Sequence, residues 1–380
     1  MLSGATALPH PILQFGTGRF LQAHVDLFVS EALAAGNALG RIAVVQTTDS
    51  AESTRRLAAL ADGSGYRVEI RGLRAGRPVE EVVHVGSVGA AWNAARDWHL
   101  LLEAIASEVR VIVSNTADRG FELSEADGPE ALTRYTTPPA SFPAKLVVLL
   151  HHRWSVHPAA PLTIYPCELV PRNGDTLREI VVALASTWRL PDAFLGYLRR
   201  QCTWANSLVD RIVSSALHPI GAIAEPYALW AIEQCAQLVL PCEHAAIVVT
   251  SELAKFERLK LMLLNLGHSF LAERWLVDKR CATETVLDAM RDRAVSASLD
   301  AVWNDEVLPL FDAIGEGTEA RAYLAEVRDR FCNPFLEHRI ADIAHNHAEK
   351  KRRRFGPVIE LAASQTPPIR QPRLRAALGT

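Results

Sequence analysis

A strand, a glycine turn and a helix, closely spaced near the start of the chain, restrict its fold more than any other feature. Pro11-Ile-Leu-Gln-Phe15 is a short apolar run, Gly16-Thr-Gly18 follows it at once, and residues 19–35 are amphipathic. Residues 42–46 read as the next strand, so a strand–helix–strand unit closes within the roughly thirty residues it requires. Further strands are expected at 66–72, 82–85, 109–114 and 162–166, with helices at 90–107 and 143–157. Alternation of this kind builds a mostly parallel sheet covered by helices on both faces.

The pattern changes after about residue 175. Helices are expected at 176–188, 192–206, 226–237, 251–275, 283–295, 299–311, 319–331 and 334–354, and the Pro- and Arg-containing tail after Thr366 is loosely ordered or docks late. A chain of 380 residues exceeds one ordinary core. The expected organisation is therefore an α/β domain over residues 1–175 and an all-helical domain over residues 176–380. A net charge of −3 argues against a nucleic-acid partner. No apolar run approaches the roughly 20 residues of a membrane span. The first residues lack a charged and then apolar leader, so a cytoplasmic protein is expected. The six cysteines form no CxxC pair, and Cys242-Glu-His244 lacks the second ligand pair of a structural zinc site. Neither disulfides nor a metal is expected, and oligomeric state does not follow from these residues.

The residues best suited to chemistry lie in Lys260-Leu-Met-Leu-Leu-Asn265-Leu-Gly-His268. At about 100° per residue, Lys260 and His268 are about 80° apart, and Asn265 is about 60° beyond His268. An ammonium, an amide and an imidazole on an apolar helix must be paired or line a polar cavity. Together they suit interconversion of a secondary alcohol and a ketone: a desolvated lysine exchanges the hydroxyl proton, the amide holds the developing oxyanion, and the imidazole orients. The same pattern also fits a snorkelling lysine with two satisfied core groups.

Other segments leave two readings open. Gly16 and Gly18 can bring backbone amides to a pyrophosphate, although Leu21 stands at the third glycine position, and a plain tight turn fits as well. Asp49 can meet an adenosine ribose or cap a helix; no arginine follows it directly, which favours NAD over NADP. Asn115 ends a buried-looking strand as a cofactor ligand or a turn residue. Glu168 ends another, as a site residue or a cap. Lys350-Lys-Arg-Arg-Arg354 is a solvated helix end or a cation for a substrate carboxylate.

Several segments taken together resemble the polyol-specific long-chain dehydrogenases, the mannitol dehydrogenase family, which includes fructuronate and tagaturonate reductases. They are Leu13-Gln-Phe-Gly-Thr-Gly-Arg-Phe-Leu21, Ser114-Asn-Thr116, Phe142-Pro-Ala-Lys145, Pro166-Cys-Glu-Leu169 with Asn173-Gly, Leu208-Val-Asp-Arg-Ile-Val213, Lys260-x4-Asn265-x2-His268 and Arg330-Phe-x-Asn-Pro334. They follow the family's order and cover nearly the whole chain.

The resemblance implies a Rossmann-type N-terminal domain, a helical C-terminal domain, and a cleft between them for NAD and an open-chain sugar derivative, without zinc. Gly16, Thr17, Gly18, Arg19 and Phe20 fall on the cofactor turn, with Asp49, Asn115 and Glu168 as further cofactor candidates. Lys260 falls on the general acid/base, Asn265 on the oxyanion-holding amide and His268 on the assisting imidazole. Asp210 falls beside the site, although an ion pair with Arg211 or a helix cap also accounts for it. Leu169 replaces the asparagine of mannitol dehydrogenases, as in the tagaturonate reductase (altronate oxidoreductase) branch. Gln22, His24 and the order Asn265-Leu-Gly-His268 depart from that branch. The expected substrate is a linear sugar acid, with Lys350 or Arg354 meeting its carboxylate. The alternatives are a polyol or sugar-alcohol phosphate, or a silent NAD-binding protein.

Overall fold

The computed structural model describes residues 10–48, 50–116, 120–134 and 136–379. The chain divides into two compact units, residues 1–69, 82–224 and 228–251 in the first and residues 70–81, 225–227 and 252–380 in the second. The expected division at residue 175 is thus displaced to Ser251/Glu252.

The first unit contains strands β1 (Ile12–Phe15), β2 (Ile42–Gln46), β5 (Val88–Asn93), β6 (Val111–Ser114), β7 (Leu162–Pro166) and β8 (Cys202–Trp204) in one sheet; before β5 come strands β3 (Tyr66–Arg74) and β4 (Arg77–Val85), whose residues 70–81 are assigned to the second unit. The sheet order is β5-β2-β1-β6-β7-β8, and every neighbouring pair is parallel. β1, β2, β6 and β7 are buried along their full lengths, as a sheet covered on both faces requires. The chain builds outward from β1 to one side, then returns to place β6 on the other. The sheet's topological switch point, where ligands bind in this architecture, lies at the exits of β1 and β6.

Three sequence expectations fail within this unit. Residues 90–107 begin with β5, and only Trp98–Ser107 is helical. The amphipathic stretch 19–35 is two helices, Arg19–Gln22 and Val25–Ala35, because His24 departs from helical backbone and buries its ring against Phe20 and Phe28. Beyond helices Asn173–Thr187 and Asp192–Arg200 the chain turns to strands: β9 (Ser207–Asp210), β10 (Val213–Ala216), β11 (Ala222–Ala224), β12 (Leu229–Glu233) and β13 (Ile247–Thr250). Pro226 resembles a helix start, but the segment after it pairs antiparallel with β9 and parallel with β13. Its apolar run is too short for periodicity to separate strand from helix.

The second unit is helical apart from residues 70–81 and 225–227. The expected helix 283–295 is cut at Asp292, whose carboxylate accepts from the amides of Ala294 and Val295 and starts Arg293–Ala301 afresh, across the break expected before residue 299. The tail docks. Leu374 is fully buried, and the amides of Arg373 and Leu374 donate to the carboxylate of buried Glu306 at 2.8 and 3.0 Å. No helix among the described residues is long and apolar enough to cross a membrane.

Candidate active site

In the first unit the exits of β1 and β6 press together. Gly16 has φ +125°, and a Cβ there would lie 2.7 Å from the carbonyl oxygen of Asn115. Only glycine permits both the conformation and the approach. A Cβ on Gly18 would meet nothing within 4 Å, so that peptide is open on its outer face, the property a pyrophosphate cradle needs. The helix beginning at Arg19 is a single turn, so the amides of the turn matter here more than a macrodipole. Thr17 is buried, and its carbonyl accepts from Gln22 Nε2 at 2.9 Å. Gln22 Oε1 accepts from the Gly221 amide at 2.8 Å. The departure from the family pattern at Gln22 therefore pins the glycine turn to the β10–β11 turn. Asp49 lies outside the described residues.

Glu168 closes the other side of this crevice. Its carboxylate accepts from Ser114 Oγ at 3.0 Å and from the amide and hydroxyl of Thr116, both at 2.9 Å. Burial raises its pKa, and the Thr116 and Ser114 hydrogen bonds oppose that rise. Asn115 Nδ2 donates to the Cys167 carbonyl, and Asn173 Nδ2 donates to the carbonyls of Pro166, Glu168 and Ser207. Glu168 and the Asn115 amide thus hold the exits of β6 and β7 in place and shape the crevice through its backbone. Leu169, the next residue, is 74% exposed.

Sequence reasoning missed two titratable groups in this unit. Asp26 is buried and accepts from the Tyr66 hydroxyl at 2.7 Å. Burial pushes its pKa to about 7 against the hydrogen bonds of Tyr66 and Gln14. Lys145 lies in the first turn of the helix Phe142–Val156 and donates to the Ala140 carbonyl at 2.6 Å. Desolvation lowers it to about 8, with Asp127 opposing. An acid at the start of one helix and a lysine at the start of another look solvated in a sequence; only packing shows they are not.

The second unit holds Lys260, Asn265 and His268, and here the helix is not regular. Leu253–Leu259 is α-helical, Lys260–Asn265 is a π-helix, and Leu266–Val277 is α-helical again. An i→i+5 turn advances each residue by roughly 80° rather than about 100°. Asn265 then lies roughly 40° from Lys260 instead of about 140°, and His268 within roughly 20° of Lys260 on the other side. The three side chains gather into an arc of roughly 60°, far tighter than a regular helix allows. Lys260 and Asn265 are half-buried, and His268 is buried.

Widening a turn leaves carbonyls without their α-helical partners. The indole of Trp303, on a second π-helix (Val302–Val307), donates to the Leu263 carbonyl at 3.2 Å. Arg354 Nη1 donates to the Asn265 carbonyl at 3.2 Å and to Ser269 Oγ at 2.8 Å. Gly267 is where the helix meets its neighbours: a Cβ there would lie 2.7 Å from Trp303 Cζ2 and 3.1 Å from Phe331 Cζ. The order Asn265-Leu-Gly-His268 thus puts the glycine where Trp303 approaches.

His268 stacks on Phe331 with ring centroids 4.3 Å apart, and His338 meets it edge-on at 4.8 Å. Burial lowers the His338 pKa; Asp342 opposes this and Arg330 adds to it. Arg330 is buried in a bidentate pair with Glu225 at 3.0 and 2.9 Å, with its guanidinium 4.6 Å from the centroid of the Tyr227 ring. The Arg330-Phe-x-Asn-Pro334 segment is therefore the bed on which His268 rests.

Of the two substrate cations expected from sequence, Arg354 is tied to the trio through Asn265, and burial followed by the charge of Arg353 lowers its pKa. Lys350 donates to the Ile343 carbonyl at 2.9 Å. Asp210 belongs to the first unit, at the end of β9 opposite Leu229, and is buried. His244 of the Cys242-Glu-His244 cluster bonds Glu31 at 2.7 Å.

Residues 10–240 match the mannitol dehydrogenase Rossmann domain and residues 252–370 the mannitol dehydrogenase C-terminal domain. Altronate oxidoreductase of Halalkalibacterium halodurans is 30% identical over 383 residues, covering 95% of this chain and 72% of the relative. That of Bacillus subtilis is 30% identical over 382 residues, covering 95% and 76%. Substrate-free D-sorbitol dehydrogenase shares the fold with TM-score 0.79 at 21% identity, over 94% of this chain and 76% of the other. A Pseudomonas fluorescens mannitol 2-dehydrogenase complex with NAD and D-mannitol shares it with TM-score 0.75 at 18% identity, over 98% and 79%. With the β5-β2-β1-β6-β7-β8 sheet and the Lys260, Asn265, His268 arc already in place, these matches make the chain a member of the mannitol dehydrogenase family of oxidoreductases.

Proposed function

We propose that this protein transfers hydride reversibly between a nicotinamide dinucleotide, NAD(H) on the sequence reading, and the ketone or secondary alcohol of a linear sugar acid of the tagaturonate or fructuronate type. The observation that carries the proposal is the π-turn, which puts a lysine, an amide and an imidazole in one arc. The dinucleotide supplies or accepts the hydride. In the reducing direction Lys260 gives its proton to the oxygen of the carbonyl under attack, Asn265 Nδ2 donates to that oxygen as charge builds, and His268 orients the substrate hydroxyl or the lysine. In the oxidising direction the lysine takes the hydroxyl proton.

Two features favour an acid over a neutral polyol. The Arg354 guanidinium is fixed against the Asn265 carbonyl, a partly desolvated cation beside the trio that a carboxylate would stabilise. The altronate oxidoreductases of H. halodurans and B. subtilis support the same class.

The test is oxidation of NADH and NADPH by purified protein, with a chelator present, across tagaturonate, fructuronate, fructose, fructose 6-phosphate and xylulose. Turnover confined to the uronates is expected, and Lys260→Ala, still folded, should lose a factor of roughly 10² to 10⁴ in kcat. Efficient reduction of the neutral ketoses would move the substrate to a polyol. Full turnover by Lys260→Ala would remove the mechanism.

A further inference from the structure

In the second unit a polar row that starts at Asn265 and runs along the helix Leu266–Val277 meets a polar stripe on the helix His347–Ala363. Asn265, Ser269 and Glu273 recur every four residues, so each stands about 6 Å along the axis from the next. His347, Lys351 and Arg354 recur at i, i+4 and i+7 and share one face of their own helix. Arg354 Nη1 donates to the Asn265 carbonyl at 3.2 Å and to Ser269 Oγ at 2.8 Å, while Lys351 Nζ and His347 Nε2 reach Glu273 Oε2 at 2.9 and 2.8 Å. Rising numbers on one helix meet falling numbers on the other. The contacts therefore form an antiparallel ladder with Arg354 at one end and Glu273 at the other.

Backbone alone does not fix the stretch 347–354 along its axis. Asn346 before it has φ +54° and makes no side-chain cap. Pro357 inside the helix has no N–H to offer the Arg353 carbonyl, so the helical link is weakened within a turn of Arg354. Lys350 bonds the Ile343 carbonyl, which belongs to the short helix Ile340–Ile343 and not to the helix that carries the trio. Phe355 is fully buried, but apolar packing is not directional. Glu273 is directional. A carboxylate only accepts, so His347 Nε2 carries the proton, and Lys351, which also donates to the Ala377 carbonyl at 2.7 Å, supplies the opposite charge. The side chains of Glu273, His347 and Lys351 are only 17%, 9% and 18% exposed, which sets this cluster apart from a screened surface pair.

We propose that Glu273 is a positioning residue: by gripping His347 and Lys351 it sets how far one helix stands along the other, and so places the Arg354 guanidinium at the Asn265 carbonyl, where it meets the substrate carboxylate. The Arg354 bond to that carbonyl, at 3.2 Å, is already at the long end of the range. A slip of one residue's rise, about 1.5 Å, carries it past hydrogen-bond reach. The same grip serves the trio, because Arg354 holds a carbonyl at the end of the π-turn. The inference rests on the reading of Arg354 as the cation for the substrate carboxylate and adds the residue that places it.

The experiment is a double-mutant cycle on the full chain: wild type, Glu273→Gln, Arg354→Met and the double variant, with steady-state reduction of fructuronate and of fructose. We expect Glu273→Gln to raise KM for fructuronate about tenfold, more than it lowers kcat, and to raise it by no more than about twofold once Arg354 is replaced. Lys351→Met, which removes the opposite charge, should act in the same direction as Glu273→Gln. Circular dichroism and Tm establish that each variant is folded. Equal factors for Glu273→Gln in the two backgrounds overturn the inference and leave the Arg354 reading standing. If Arg354→Met weakens fructuronate and fructose alike, that reading falls instead, and the clamp is judged on kcat in the same cycle: non-additive losses uphold it and additive losses overturn it.

Discussion

Replacing Gly267 by alanine sets helix propensity against packing. In an open helix interior the change is worth about 1 kcal/mol of added stability. At position 267 the new Cβ would lie 2.7 Å from Trp303 Cζ2, roughly 1 Å inside the usual carbon–carbon contact. Trp303 has nowhere to go: it is fully buried, its ring packs 5.6 Å from that of Phe331, and its indole holds the Leu263 carbonyl of the π-turn. Overpacking of this kind costs about 1–3 kcal/mol, and the upper half of that range applies where the neighbour cannot yield. A net loss of about 1–2 kcal/mol is expected, which lowers Tm by a few degrees in a unit of this size. Because relief of the clash moves the helix segment that carries Asn265 and His268, kcat should fall roughly tenfold, a fraction of an ångström being enough. Thermal unfolding followed by tryptophan fluorescence, with steady-state rates at saturating substrate, reads both effects. Gly196→Ala is the control, since there the three nearest atoms all belong to the guanidinium of exposed Arg200, which can swing aside. If Gly267→Ala raises Tm as the control does and keeps its kcat, the claim that this glycine sets the approach of Trp303 to the π-turn is wrong.

Three further outcomes follow from the geometry. Asp26 titrates near pH 7 in the fold against an ordinary 3.8, a difference worth roughly 4 kcal/mol. Its folded pKa is raised, so its contribution is fully present below the unfolded pKa and is lost as pH rises through about 7. The stability of Asp26→Asn relative to wild type, from urea unfolding, should therefore climb between pH 5 and pH 8, and parallel curves would refute the burial argument. Glu168→Ala leaves the Thr116 amide and the Ser114 hydroxyl without acceptors, at roughly 1–3 kcal/mol each, and should weaken dinucleotide binding about tenfold, whereas Glu168→Gln keeps most of the clasp. Equal binding by wild type and Glu168→Ala would show that the clasp does not shape the crevice. Arg354→Met should raise KM for a uronate at least tenfold more than for its neutral ketose, because it removes a cation; an equal effect on both would reduce Arg354 to a prop for the Asn265 carbonyl.

The sequence by itself determined the strand–Gly-Thr-Gly–helix start and the parallel sheet, and it singled out Lys260, Asn265 and His268 as the candidate trio. These features depend on local pattern: unbroken apolar runs for strands buried on both faces, glycine where a Cβ cannot fit, and polar residues on an apolar helix. The tertiary structure alone decided where the units divide, because short apolar segments such as Leu229–Glu233 take their state from the strands they meet. It also decided the spacing that matters most. A regular helix would hold Lys260 and Asn265 about 140° apart. The extra residue in the π-turn brings them together, and that turn is kept by two distant donors, Trp303 and Arg354, which hold the carbonyls of Leu263 and Asn265. Backbone groups released by a widened turn are satisfied by whatever side chains packing delivers, which no local reading of residues 260–268 contains.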